Sequence, residues 1–286
     1  MPTALIIVAD DLGLDPRRDA GIADAFRAGA ITQASFMVKG PSAEGAAELA
    51  RAIGLPLGLH LDLTETAPAA DPSRIASLLD AQGNKRGKHG LRDALAAGAI
   101  DMEHVAVEAR AQIEAFASLI GASPRHVDGH QHAHCVPALA ETLASVLAEA
   151  GVESTRIPEQ RDVHVADPDK ARFYRGVSDD GARARAIYAA RGIRSTAAFV
   201  GLDLMGAASS EAGLHGAVAA RVDDAASIEL MCHPGYPGET WDDFNRSPER
   251  EHELRVLLAQ PFRALVREGK VRLSDFGALA AAGALT

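Results

Sequence analysis

Cysteine is scarce: Cys135 and Cys232 are the only two in 286 residues. Two cysteines cannot build a disulfide framework, and no C-x-x-C pair is present to hold a structural zinc. Basic charge is also short. Lys and Arg number 29 against 39 Asp and Glu, a formal net charge of −10. A nucleic-acid binder needs a basic face to neutralise phosphates, and a polybasic membrane anchor needs clustered cations, so neither partner is expected. Long hydrophobic runs are missing too. The opening run Ala4-Leu5-Ile6-Ile7-Val8-Ala9 is too short to span a bilayer or serve as a signal core, and no basic segment precedes it. With free cysteines and no leader, the expected compartment is the cytoplasm. Internal repeats, low-complexity linkers and breaks in composition are absent, so residues 1–286 are expected to form one domain. Apolar residues at 47% and charged residues at 24% are ordinary for a globular chain that buries a core without staples. Histidine stands out: there are eleven, with His126, His130, His132 and His134 packed into nine residues of chain.

Short apolar runs alternate with segments of helical period. Ala4–Ala9 reads as a strand buried on both faces. Asp15-Pro16 reads as N-cap and first helical residue of a helix ending near Gly29. Ile31–Val38 and Leu57–Leu63 are the next strands, with a helix over Ala43–Ile53, capped by Ser42 and closed by Gly54, between them. Residues 67–90 are long for a connection, so they form a lid or a mobile excursion. Helices are expected over Leu91–Ala97, Glu103–Ile120, Pro137–Ala150, Asp169–Ala190 and Pro248–Arg267. Strands are expected at His126–Asp128, Ser154–Ile157, Ala197–Val200, Ile228–Cys232 and Val271–Leu273, before an Ala-rich terminal helix. Strand alternating with helix implies a parallel sheet with outer helices. About seven or eight strands suit an α/β fold of the (β/α) barrel type, irregular or incomplete, with a doubly wound open sheet as the alternative.

In such folds ligands bind beyond the carboxyl ends of the strands. Four strand ends carry metal-ligand residue types there. Asp10-Asp11 ends the first strand, and two adjacent carboxylates on a buried strand repel unless a cation or a shared proton relieves them. His60 lies in Gly58-Leu59-His60-Leu61-Asp62-Leu63-Thr64, where alternation puts His60, Asp62 and Thr64 on one face. A polar face in a buried strand is costly unless it lines a site. Asp128-Gly129-His130-Gln131-His132-Ala133-His134 follows the mid-chain strand. If extended, its histidines project on one side; if helical, His130 and His134 share a face. Some of them are expected only to hydrogen-bond and orient ligands, a role that also suits Asp128. His233-Pro234-Gly235 ends another strand in a rigid turn, which places an imidazole as a general acid or is simply a turn.

Together these motifs resemble the YdjC-like carbohydrate deacetylases. The resemblance rests on Val8-Ala9-Asp10-Asp11-Leu12-Gly13, Gly58-Leu59-His60-Leu61, His126-Val127-Asp128-Gly129-His130-Gln131-His132-Ala133-His134 and Cys232-His233-Pro234-Gly235-Tyr236. It runs as far as Glu249-Arg250-Glu251-His252-Glu253-Leu254, nearly the whole chain. It implies a barrel-like α/β fold, one divalent metal ion (Mg2+ or Zn2+) and hydrolysis of an N-acetyl group on a small sugar or oligosaccharide. It further implies Asp11, His60 and His130 as metal ligands, Asp10 as general base and His233 as general acid. The chain departs from the family at Leu12, where an aromatic is commoner, and at Asp62, which adds a carboxylate.

Amide hydrolysis needs an activated water, a polarised carbonyl and a proton for the leaving amine. A two-His, one-carboxylate site leaves positions open for the first two. Asp10 is expected near the metal, and His233 on the opposite side. Arg156, at another strand end, orients Asp10, binds sugar or is a surface residue. Trp241 stacks on a sugar or packs on the core. Competing readings are another metal-dependent amidohydrolase or phosphoesterase, and an inactive sugar-binding homologue. A homodimer is expected on general frequency alone.

Overall fold

The computed structural model describes residues 2–239 and 241–286. Seven strands carry the frame: β1 (Thr3–Leu12), β2 (Gln33–Phe36), β3 (Leu57–Leu61), β4 (His126–Gly129), β5 (Ser154–Thr155), β6 (Ala198–Val200) and β7 (Ser227–Cys232). They lie in the order β5-β4-β3-β2-β1-β7-β6, and each pairing is parallel. The two edges meet at one parallel bridge, Ser154 to Arg194, just ahead of β6. Each strand therefore neighbours the next in sequence around a curled sheet. This is the incomplete (β/α) barrel expected, not an open doubly wound sheet. A short strand, β8 (Val271–Leu273), pairs with the first residues of β1.

The helices are α1 (Pro16–Arg27), α2 (Ala43–Ile53), α3 (Gly87–Ala96), α4 (Met102–Ile120), α5 (Pro137–Glu149), α6 (Pro168–Ala190), α7 (Glu211–Ala219), α8 (Asp243–Arg246), α9 (Glu249–Leu258), α10 (Arg263–Arg267) and α11 (Phe276–Ala281). Among the described residues, no helix is long and apolar enough to cross a membrane. Strand β1 shows how the core divides. Leu5, Ile7 and Ala9 join the large cluster shared with the outer helices. Ala4, Ile6 and Val8 face the other way and pack against Phe276, Leu279 and Leu285 of the C-terminal segment. The terminal helix thus plugs the barrel from its amino-terminal end.

Local chemistry explains most boundaries. Asp15 caps α1, its carboxylate accepting from the Arg17 N–H at 2.8 Å, with Pro16 in the first turn. Gly54 closes α2 at φ 70. Ser42 stands at the N-cap position of that helix, but its hydroxyl makes no capping bond and donates to Asp19 at 2.6 Å. The helix expected over Pro248–Arg267 is two helices, broken where Gln260 takes φ 58 before Pro261. Helix α7, which starts from the Ser210 cap, has no counterpart in the sequence reading; its two glycines weaken the helical signal. Residues 67–90 contain two short 3-10 turns, and α3 starts four residues before Leu91. The segment is pinned by Lys85, fully buried, whose Nζ lies 3.0 Å from Glu108 and 2.8 Å from the Asp62 carbonyl.

Candidate metal and catalytic site

At the carboxyl ends of the strands a cavity of about 340 Å³ opens, lined among others by Asp10, Asp11, His60, Glu65, His130 and His233. A bulge in β1 brings both aspartates there. Ala9 is opposite Ala34 and Leu12 opposite Phe36, so three steps on β1 match two on β2. The extra residue lets Asp11 adopt φ 67. Regular alternation would send Asp10 and Asp11 to opposite faces; the bulge re-aims one of them. A non-glycine residue in this region carries strain of order 1–3 kcal/mol, which the surrounding contacts must over-determine. Arg18 of α1, fully buried, supplies one such contact, with Nη2 2.9 Å from Asp11 Oδ2.

The other Asp11 oxygen faces two imidazoles. Oδ1 lies 3.2 Å from His60 Nε2 and 3.0 Å from His130 Nδ1, and those two nitrogens are 3.3 Å apart. The far nitrogen of each ring is held by a carboxylate. His60 Nδ1 is 2.7 Å from Asp128 Oδ1, and His130 Nε2 is 3.0 Å from Glu65 Oε2. A ring that donates its far N–H presents a lone pair from the near nitrogen. Two lone pairs and a carboxylate oxygen then converge on one point, which is stable only around a cation or an extra proton. Charge says the same. Burial would lower the His60 pKa, yet Asp128 and Asp10 raise it to about 9. Burial also opposes protonation of His130, but Asp11 and Glu65 carry its pKa well above the ordinary value. Donor spacings near 3 Å match three ligands about 2.1 Å from one small divalent ion at right angles. The residues present therefore fit a metal.

A buried ionic layer lies beneath. Arg156, wholly buried at the end of β5, donates from Nη1 and Nη2 to the two oxygens of Asp10 at 2.6 and 2.8 Å. Its Nε donates to Glu229 of β7 at 2.6 Å, and Nη2 is 3.0 Å from Asp128 Oδ2. Asp128 also accepts from the Ser35 hydroxyl at 2.5 Å. Burial raises the Asp10 pKa against the pull of Arg156, and it lifts Glu229 to about 7. The surface reading of Arg156 is therefore replaced by its contact with Asp10.

His233 Nε2 is 3.8 Å from Asp10 Oδ2. The two lie side by side and not on opposite sides as expected. Burial, reinforced by Arg18 and Arg250 against Asp11, pushes the His233 pKa well below its usual value, so the resting ring is neutral. The turn that holds it sits tightly on α1: a Cβ on Gly21 would meet Gly235 at 2.6 Å.

The His130–Cys135 turn is neither extended nor a regular helix. Gln131 and His132 take φ 53 and 57, which splits the three histidines. His130 turns to Asp11, while His132 lines the cavity edge-on to Phe199. His134 turns away, its Nε2 2.8 Å from the Arg156 carbonyl, and the Tyr188 hydroxyl donates to the His134 carbonyl at 2.9 Å. Asp62 does not share a face with His60. The strand ends at Leu61, and the Asp62 carboxylate caps the next turn, accepting from the N–H groups of Thr64 and Thr66 at 2.7 and 2.6 Å. Trp241 is half-buried and is not among the lining residues; the aromatic walls are Phe173, Tyr174 and Phe244. Sequence reasoning missed Arg18, Glu65, Glu229 and Phe244. Of these only Glu229, a carboxylate inside the apolar run Ile228–Cys232, carried a signal.

Fold and site define a (β/α) barrel protein with an imidazole–carboxylate cluster at its catalytic end. The chain belongs to the YdjC-like protein family, whose model matches residues 4–268. Among its relatives is a carbohydrate deacetylase of Mus musculus, 42% identical over 94% of this chain and 92% of that protein. A carbohydrate deacetylase of Homo sapiens is likewise 42% identical, over 94% of this chain and 88% of that one. A chitooligosaccharide deacetylase of Escherichia fergusonii is 28% identical over 96% of this chain and 99% of that one. The crystal structure of an Enterococcus faecalis V583 protein, proposed there to cleave cellobiose-phosphate, superposes with a TM-score of 0.75. At 22% identity, covering 98% of this chain and 99% of that one, it speaks for the fold alone.

Proposed function

We propose that this protein is a carbohydrate N-deacetylase, hydrolysing the acetamide of a small N-acetylated sugar to acetate and the free amine, with one divalent ion held by Asp11, His60 and His130. The observation that carries the reading is the convergence of those three donors, 3.0–3.3 Å apart, on the floor of an open cavity. Membership of a family with relatives named carbohydrate deacetylase supplies the substrate class.

The ion, when bound, supplies Lewis acidity for the acetyl carbonyl and lowers the pKa of water. The remaining chemistry belongs to side chains. Asp10, raised by burial and held by Arg156, is a carboxylate basic enough to take a proton at its Oδ2. His233, neutral at rest and 3.8 Å away, can receive that proton at Nε2 and deliver it to the departing nitrogen. Base and acid are then one proton route. Phe173, Tyr174 and Phe244 offer apolar walls for sugar faces, while Glu65, Lys88 and Asp242 provide polar contacts at the rim.

The test is acetate release from N-acetylated chitooligosaccharides by protein stripped with chelator and then reloaded with Zn2+ or Mg2+. Loss on stripping and recovery on reloading are expected. Release that is indifferent to stripping, or absent with every metal, overturns the reading.

A further inference from the structure

We propose that Glu229, which does not touch the cavity, is a positioning residue for deacetylation: from β7 it fixes the Arg156 guanidinium in the orientation that holds Asp10. The proposal rests on the deacetylase reading above. Arg156 meets Asp10 through its two terminal nitrogens at 2.6 and 2.8 Å, and Nη2 also lies 3.0 Å from Asp128 Oδ2, so these contacts all fall at the fork and leave the Nε edge unheld. The Nε–H bond to Glu229 Oε1, at 2.6 Å, comes from a strand on the other side of β1 from β2 and fixes that remaining edge. A guanidinium is planar and rigid, so fixing Nε fixes the direction of the fork.

Glu229 is fully buried, and its other oxygen has no hydrogen-bond partner among the described residues. A carboxylate between Ile228 and Leu230 carries a desolvation cost that a hydrophobic residue would avoid. Its charge-assisted bond is to Arg156, and Phe199 covers the guanidinium with its ring centroid 5.8 Å from Cζ. The chain thus places an expensive group where its hydrogen bond leads through Arg156 to Asp10, which is the pattern of an outer partner that orients a reacting one.

The experiment measures kcat, KM and metal content for Glu229→Gln, Glu229→Ala and the volume-filling Glu229→Met, each in the wild-type and the Arg156→Ala backgrounds. Glu229→Gln keeps an oxygen for the Nε–H and should retain kcat within about threefold. Glu229→Ala and Glu229→Met should lose about 10- to 100-fold in kcat, with KM within about twofold and metal at the wild-type level. In the Arg156→Ala background the same two changes should alter kcat by less than about twofold, because the link is already gone. An equal loss in both backgrounds, or a Gln variant as impaired as Met, overturns the proposal. Should Glu229→Ala fail to fold, the Met and Gln variants decide. A crystal structure of Glu229→Met gives a reading free of activity: a guanidinium turned off Asp10 supports the proposal, and one unmoved contradicts it. Wild-type protein that releases no acetate defeats the deacetylase reading, while that structure still decides the anchoring.

Discussion

The two ends of the barrel are built from the same strands and share almost no chemistry. At the amino-terminal end β1 presents Ala4, Ile6 and Val8 to Phe276, Leu279 and Leu285. The cavity of about 280 Å³ there is walled largely by apolar groups such as Leu55, Leu57, Phe116 and Ala280. Two residues beyond Val8, the same strand presents Asp10 and Asp11 to buried arginines and histidines. The apolar end gains stability from area removed from water. The polar end does the reverse: it holds strained backbone at Asp11 and His132 and sets several charges in the interior. Each of those features is costly in isolation, and each is aimed at the cavity or at a group that faces it. The contrast teaches that stability and function are divided along each strand, not among strands.

The largest effect expected lies at the polar end. Asp11→Ala and His130→Ala should lose bound metal and lower acetate release by more than the roughly 10–100-fold typical of an outer partner. Asp10→Asn should keep the metal and lose turnover. Metal analysis beside an activity assay checks both, and wild-type metal content in His130→Ala would remove that ligand from the set. The apolar end should respond in the opposite sense. Phe276→Ala should cost about 3–5 kcal/mol in denaturant unfolding, while kcat per folded molecule stays near wild type.

A third effect depends on pH. Burial holds the His134 pKa down at about 4, although the Arg156 carbonyl and Asp128 act to raise it. The unfolded chain, with a pKa near 6.5, binds this proton first. Stability is therefore complete above about pH 6.5 and is lost as pH falls toward 4, by up to roughly 3 kcal/mol from this one residue. His134→Gln should flatten unfolding free energy against pH across that window, and an unchanged slope would remove His134 as its source. The smallest effect is at the rim. Phe244, 38% exposed and backed by Arg250 at 3.7 Å, should on substitution by Ala raise KM about fivefold with little change in Tm. A KM unchanged on oligosaccharides would take Phe244 out of the sugar wall.

Much of the barrel was legible because its signals are local. Asp15-Pro16, Gly54 and the apolar run Ala4–Ala9 each act through neighbours in sequence. Pro261 could have marked the break after α9, since proline removes the N–H that a continuing helix needs. The clusters Asp10-Asp11, His60, His130 and His233 stood out as ionisable residues at strand ends, and the fold draws them to one cavity. Their arrangement was less legible. The β1 bulge has no marker in Asp10-Asp11-Leu12, and the side-by-side placing of Asp10 and His233 is set by contacts between strands distant in sequence. Arg18, Glu65 and Phe244 look like ordinary helix and loop residues, because the partners that define them belong to other elements. Asp62 departs from the alternation for a related reason: β3 ends at Leu61, and the backbone turns there.

The most direct test of the site is an anomalous difference map from crystals of this protein grown or soaked with a divalent ion such as Zn2+. The expected result is a peak in coordinating contact with Asp11 Oδ1, His60 Nε2 and His130 Nδ1. A peak instead among Asp128, Glu229 and His126, or a well-occupied crystal with none at the three donors, would contradict the assignment.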